Sequence, residues 1–362
     1  MHRSPTPATP DSSQTSASFA ASSRSLALAL TLSVGLISAC GGDADGGAAA
    51  GSAAGGAPGP GAVVGVPDGT DIWVFELFDV VGGGITLEGP RNITGRPGYD
   101  NQPMFTPNGQ LLFTQGEGER TDLWRWDPNA NIKHRITLTS DESEYSATPI
   151  PGAVGTVSYI KVEADSTQRL WRIDEDGSSA HVLVPNLAPV GYHAWLDEQN
   201  VAMYVLADED AGTPSTLQIG RLPAGAGTAA IISAAPDVEV RVKAENIGRS
   251  LQSIPGRAAV SFTQARGGAS DDGIGLWTLF EYDLERDRIS RIADLPEGTQ
   301  DHAWTPNGDL ITAVGSSFYQ WRDGDWQLIA DWSRLGQTFT RIAVVADGVT
   351  VAVVGEPVGS TN

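Results

Sequence analysis

From residue 69 onward the chain alternates short apolar runs with turns rich in Gly, Pro, Asn and Asp, and no segment sustains an apolar stripe at helical spacing. The pattern predicts strands throughout, and it repeats. One string recurs at Asp71-Ile72-Trp73-Val74-Phe75, Asp122-Leu123-Trp124-Arg125-Trp126-Asp127, Arg169-Leu170-Trp171-Arg172-Ile173-Asp174 and Gly275-Leu276-Trp277-Thr278-Leu279. Weaker copies lie at Ser215–Ile219 and Ser317–Trp321. Ahead of most copies comes a strand, a Pro/Asn/Gly turn and an apolar strand. It reads QPMFTPNGQLLF at Gln102–Phe113 and HAWTPNGDLITAV at His302–Val314, with degenerate forms at His193–Leu206 and Ser253–Phe262. A further run follows the tryptophan strand, as at His134–Thr139, His181–Pro185 and Trp326–Trp332.

The Asn-Gly pair is expected to supply the positive φ of a tight hairpin, and alternating aromatic residues supply bulk to pack between sheets. Four strands per unit, repeated, is the signature of propeller blades. Full units begin near residues 99, 144, 190, 248 and 299. Residues 70–95 supply only a third and fourth strand, and Thr340–Glu356 only a first and second. The expected fold is therefore an all-β, six-bladed β-propeller of four-stranded antiparallel blades. Its N- and C-terminal strands share one blade, which removes two exposed edges. Residues 69–356 are 288 positions, or 48 for each of six blades.

PMFTPNGQLLF followed by DLWRWD, and next HAWTPNGDLI, resemble the repeat of the TolB-like family of WD40-like propellers. The resemblance covers about residues 69–356, most closely 99–140. It departs from TolB in one respect: a tether stands where TolB carries an α/β domain. Peptidase propeller domains and some pectate-degrading lyases share the repeat, so the fold by itself names no activity.

The N-terminal residues add an address. LALALTLSVGLISA, residues 26–39, follows Arg24 and has the length of a signal-peptide apolar region. It runs into Ile37-Ser38-Ala39-Cys40, which resembles the lipobox of bacterial lipoproteins; Cys40 is the sole cysteine and the expected site of lipid attachment. The resemblance implies a signal peptide over 1–39. Gly41, in place of a retention aspartate, implies transfer to the outer membrane, facing the periplasm or the cell surface. Residues 40–68 read as a Gly/Ala-rich tether and 357–362 as a disordered tail. With one cysteine, no intramolecular disulfide forms.

Charge narrows the partners. The formal net charge is −21; removing residues 1–39, with Arg3, Arg24 and Asp11, leaves 21 bases against 43 acids, a net of −22. Such a chain is repelled by phosphate backbones, so no nucleic acid is expected. The expected partners are a protein or an envelope glycan, with the membrane reached only through the lipid anchor, and the expected state is a monomer.

No nucleophile elbow, zinc-protease motif, Walker loop or dinucleotide fingerprint occurs, and no cofactor or metal is expected. The Asp-rich turn Asp174-Glu175-Asp176-Gly177 lacks the remaining ligands of a calcium loop. Register points elsewhere. Residues opening each first strand should line the channel mouth, which places Asp100, Gln102, Glu144, Ser146, Tyr192, His193, Arg249, Ser250, Asp301, His302 and Arg341 there. This mixed set could pair neighbouring blades, bind a carboxylate or sulfate through Arg249 and Arg341, or bring His193 and His302 to a metal. The leading expectation is a non-enzymatic binding or scaffolding module, with a metal-assisted lyase or hydrolase acting on a polysaccharide as the alternative.

Overall fold

The computed structural model describes residues 69–359, except 82, 119, 228–236 and 267–274. The signal segment, Cys40, the tether and the last three residues of the tail lie outside the described residues. Among the described residues, twenty-four strands and one short 3-10 turn, Ser333–Leu335, form nearly all of the regular structure.

The strands sort by pairing into four-stranded antiparallel units. Four follow chain order without interruption. They are β7 (Ser143–Pro149) to β10 (His181–Val182) through β8 (Thr156–Val162) and β9 (Gln168–Asp174); β11 (Val190–Trp195), β12 (Asn200–Val205), β13 (Thr216–Arg221) and β14 (Glu239–Glu245); β15 (Ile247–Ser253), β16 (Ala259–Arg266), β17 (Leu276–Asp283) and β18 (Arg288–Asp294); and β19 (His302–Trp304), β20 (Leu310–Val314), β21 (Ser317–Arg322) and β22 (Asp325–Asp331). A fifth run contains β3 (Gly98–Phe105), β4 (Leu111–Glu117), β5 (Arg120–Asp127) and β6 (Ile132–Arg135).

The remaining strands come from both ends of the described chain. β1 (Gly69–Asp79) pairs with β2 (Ile85–Asn92) on one side and with β24 (Thr350–Pro357) on the other, and β24 pairs with β23 (Gln337–Val344). The β1–β24 register runs from Asp71↔Gly355 to Glu76↔Thr350. A two-residue parallel bridge, Gly69↔Gly98 and Thr70↔Tyr99, ties this unit to β3. Gly69 must be glycine there. Its φ is +131°, and a Cβ would sit 2.1 Å from the Gly98 carbonyl oxygen.

Alternation drives the packing between units. Phe75 of β1 meets Phe318 of β21 and Phe339 of β23 at ring-centroid distances of 5.2 and 5.5 Å, in edge-on geometry. Leu112 and Leu123 pack on Val157 and Tyr159 of the next unit, Ile160 and Leu170 on Val201 and Met203, and Leu217 on Val260 and Phe262. Each fully buried side chain of this kind contributes about 1.5–3 kcal/mol. The first strands also touch in turn: β3 to β7, β7 to β11, β11 to β15, β15 to β19, β19 to β23, and β23 back to β3.

Two sequence features acquire structural explanations. In Thr106-Pro107-Asn108-Gly109 and Thr305-Pro306-Asn307-Gly308 only the glycines take positive φ, +81° and +89°. The expectation for the whole Asn-Gly pair is corrected: Asn108 and Asn307 stay in the ordinary region, and the glycine alone closes each turn. The aspartate of the repeated string is a fastener. Asp71 accepts from Thr94 Oγ1 (2.9 Å), Asn92 Nδ2 (2.9 Å) and the Arg96 N–H (3.2 Å), and Asp122 accepts from Thr137 Oγ1 (3.1 Å) and Arg135 Nη2 (2.5 Å). Both aspartates thereby hold the segment that crosses to the next unit.

Candidate functional site

The innermost geometry is set by bulges. Pairing between first and second strands slips between Asn101 and Met104, Tyr145 and Thr148, Val190 and Tyr192, Ile247 and Leu251, and Thr340 and Ala343. Gln102, Ser146 and Arg341 sit in three of these slips with φ of 55°, 55° and 54°. A left-handed backbone at a non-glycine residue costs roughly 1–2 kcal/mol. A bulge re-aims the side chain it carries, and here the re-aimed side chains from different first strands meet.

Arg341 Nη2 of β23 donates to the Tyr192 hydroxyl of β11 at 2.9 Å, and its guanidinium carbon lies 4.9 Å from that ring's centroid. Gln102 Nε2 of β3 points at the same hydroxyl at 3.5 Å, while Gln102 Oε1 accepts from Thr114 Oγ1 (2.8 Å) and the Ser146 N–H (3.1 Å). Beside them Arg249 Nη2 of β15 donates to Asp301 Oδ2 at 3.1 Å. Arg249 Nε and Ser146 Oγ are buried and meet no partner.

Two positive charges thus lie near one carboxylate, which is ion-paired with Arg249. Burial pushes the Asp301 carboxyl up, but the charges of Arg249 and Arg341 outweigh it and hold the group below its ordinary range. Burial, and then the charge of Arg341, hold Arg249 below its usual value. Burial would likewise raise the Tyr192 hydroxyl, and the two arginines reverse the direction. The cluster is a cationic focus inside an acidic protein.

The other expected mouth residues go elsewhere. Asp100 is fully enclosed, ion-paired with Arg96 at 2.8 Å, and burial pushes its carboxyl up to about 6. Glu144 is enclosed as well; both its oxygens accept from Thr139 Oγ1, at 3.0 and 3.2 Å, and burial pushes it up to about 7. Neither carboxylate faces an opening.

His193 and His302 are also placed away from the expected mouth: His193 follows a register slip between Val190 and Tyr192, whereas His302 opens β19, whose pairing with β20 is unshifted. Ser158 Oγ on β8 donates to the Thr148 carbonyl (3.1 Å) and accepts from Trp195 Nε1 (2.9 Å), so its remaining lone pair takes the Nε2–H of His193 at 2.7 Å. The arrangement recurs one unit further on. Ser261 Oγ on β16 donates to the Gln252 carbonyl (3.3 Å), accepts from Trp304 Nε1 (2.8 Å) and meets His302 Nε2 at 2.7 Å, while Ser250 Oγ donates to His302 Nδ1 at 3.0 Å. The His-Ala-Trp motif is thus a clamp on a serine of the preceding unit. Burial holds His193 at about 3 and His302 at about 4, so both are neutral at ordinary pH. Among the described residues no group of three His, Cys, Asp or Glu side chains converges as metal ligands would.

The sequence reading missed the serines. Ser158 and Ser261 lie mid-strand in apolar runs, and only their register opposite a His-Ala-Trp strand could have singled them out. It named Tyr192 among the residues opening the first strands, but the phenol's partnership with Arg341, 149 positions away, leaves no local signal.

Comparison with known proteins speaks to the fold. No family model and no curated protein sequence matches the chain. Among solved structures, the putative TolB from Agrobacterium tumefaciens superposes with a TM-score of 0.54 at 14% identity, covering 79% of this chain and 98% of that one. The Xanthomonas campestris gluconolactonase XC5397 gives 0.52 at 13% identity, covering 78% and 95%. The fold is a TolB-like β-propeller. TolB from Acinetobacter baumannii gives 0.48 at 10% identity, and the aligned region spans 79% of this chain but only 65% of that protein. A putative TolB and a gluconolactonase both sit among these similar structures, so the fold by itself names no function. Among the described residues no helix is long and apolar enough to cross a membrane.

Proposed function

We propose that the chain is a six-bladed propeller, lipid-anchored in the cell envelope, which acts as a non-enzymatic binding module for a protein partner or envelope glycan at its central opening. The observation that carries this is the convergence of Gln102, Tyr192, Arg249 and Arg341 from four first strands with Asp301, the residue just ahead of a fifth, and with the buried donor Arg249 Nε left unsatisfied. A buried donor without a partner is costly in a folded protein, at about 1–3 kcal/mol, and a bound acceptor would relieve that cost.

Two observations support the six-bladed, closed reading: the β1–β24 ladder and the unbroken succession of first-strand contacts from β3 round to β3. The envelope address is supported by the apolar run 26–39, the Ser38-Ala39-Cys40 junction and the Gly/Ala-rich segment after it.

Crosslinking in intact envelopes tests the binding role. The wild-type chain should capture a discrete adduct that an Arg249→Ala/Arg341→Ala variant of equal abundance loses. Identical adducts from both would remove the central cluster from the binding function. For the anchor, Cys40→Ser should move the protein from the membrane fraction to the soluble fraction, and a membrane-bound variant would refute lipidation.

A further inference from the structure

The chemistry of the central cluster singles out one kind of ligand, given the binding role proposed above. We propose that this site takes the C-terminal carboxylate of a basic peptide segment.

Three observations lead there. The first is a charge left over at the centre. Asp301 neutralises one of the two arginines, through its 3.1 Å contact with Arg249. Among the described residues no carboxylate lies within ion-pair distance of the Arg341 guanidinium, whose hydrogen-bond partner is the Tyr192 phenol. A single added carboxylate would balance Arg341 and give the orphaned Arg249 Nε an acceptor.

The second is the rim. Antiparallel order brings the starts of the first strands, the turns between second and third strands, and the crossovers between units to one end. Glu117, Glu142, Glu163, Asp165, Asp208 and Asp210 lie at or beside these turns and crossovers. Arg135, Lys161 and Arg169 at the same end are paired with Glu117, Glu142 and Glu163, so those charges cancel. Asp165, Asp208 and Asp210 stand outside these pairs, with Arg120 as the unpaired base beside them among the described residues, and the rim stays acidic. An acidic rim around a cationic centre repels a ligand carrying negative charge along its length, such as a polyuronate. It attracts a positively charged chain that ends in one carboxylate.

The third is the bar across the middle. In the order β3, β7, β11, β15, β19, β23, strands β11 and β23 stand three places apart, and Tyr192 and Arg341 join them. An extended chain cannot thread past that tie, so a chain end reaches the arginines where an internal segment does not.

The test uses the full-length chain purified in detergent. It is applied to an array of Lys/Arg-rich octapeptides fixed through their N-termini, each made as the free acid and as the C-terminal amide. Wild type should retain free acids at least tenfold over amides, and Arg341→Gln should abolish that preference. Arg249→Gln, at a side chain still a quarter exposed, does the same duty if the first variant fails to fold. Equal retention of acids and amides overturns the proposal. Trigalacturonate is run in parallel as the glycan probe. If it binds in an arginine-dependent manner and the peptides do not, the peptide assignment falls while the central site stands. If neither probe distinguishes wild type from the arginine variants, and the envelope adducts are unchanged as well, the central-site reading falls with it.

Discussion

Arg341 and Tyr192, 149 positions apart in the chain, are joined by a 2.9 Å hydrogen bond and by stacking of the guanidinium over the ring. The pair links the composite unit, built from both ends of the described chain, to a unit in the middle of it. Because Arg341 occupies a strained left-handed position, the contact must repay part of that strain.

Replacing Tyr192 with Phe tests what the hydroxyl contributes. The ring and its cation–π contact survive, while the hydrogen-bond acceptor goes. A loss of about 1 kcal/mol is expected in urea unfolding, and Arg341→Ala, which removes both contacts, should lose more. Equal losses would mean that the phenol oxygen contributes nothing.

The serine clamps predict a larger effect from a smaller change. Ser158→Ala removes one oxygen yet strands the Nε1–H of Trp195 and the Nε2–H of His193, both buried. Leaving buried donors unpaired costs about 1–3 kcal/mol each, and Ser261→Ala should behave in the same way. Ser140→Ala, at a residue whose hydroxyl makes only an exposed contact, is the control expected to change stability by less than about 0.5 kcal/mol.

The two buried histidines make stability fall in mild acid. Their folded values, about 3 and about 4, lie below the ordinary 6.5. Between about pH 6.5 and pH 4 the unfolded chain therefore binds the protons and the folded chain does not. Stability should drop by up to about 1.4 kcal/mol per pH unit for each histidine as pH falls through that window. His302→Gln should flatten the slope in a urea series; an unchanged slope would mean that the ring titrates in the folded state.

Glu144 acts with the opposite sign. Its folded value, about 7, lies above the ordinary 4.5, so its contribution is present in acid and lost as pH rises through about 7. Glu144→Gln should then stabilise the protein by about 2–3 kcal/mol at pH 8, shrinking toward zero near pH 4.5. A constant difference across pH would place its origin in packing and not in ionisation.

Asp301 carries more of the central balance than either arginine. Removing its charge leaves two guanidiniums facing each other, whereas removing Arg249 leaves Asp301 with Arg341. Asp301→Asn should cost about 2–4 kcal/mol and Arg249→Gln less, with the gap narrowing in high salt.

The sequence by itself determined the strands, their grouping in fours and the division of one unit between the two ends of the repeat region. Those follow from alternation, turn chemistry and the recurring Asp-x-Trp string, each a property of residues within a few positions of one another. Its expected first strands near 99, 144, 190 and 248 lie within one residue of Gly98, Ser143, Val190 and Ile247, while the one expected near 299 begins at His302. Tertiary structure decided which polar residues meet. His193 and His302 were expected beside Arg249 and Arg341, but both are buried against the preceding unit, His193 after a register slip between Val190 and Tyr192 and His302 in an unshifted strand. The imidazoles go to Ser158 and Ser261, and the arginines to Tyr192 and Asp301. No local pattern encodes these meetings, because the partners lie 35 to 149 positions apart in the chain.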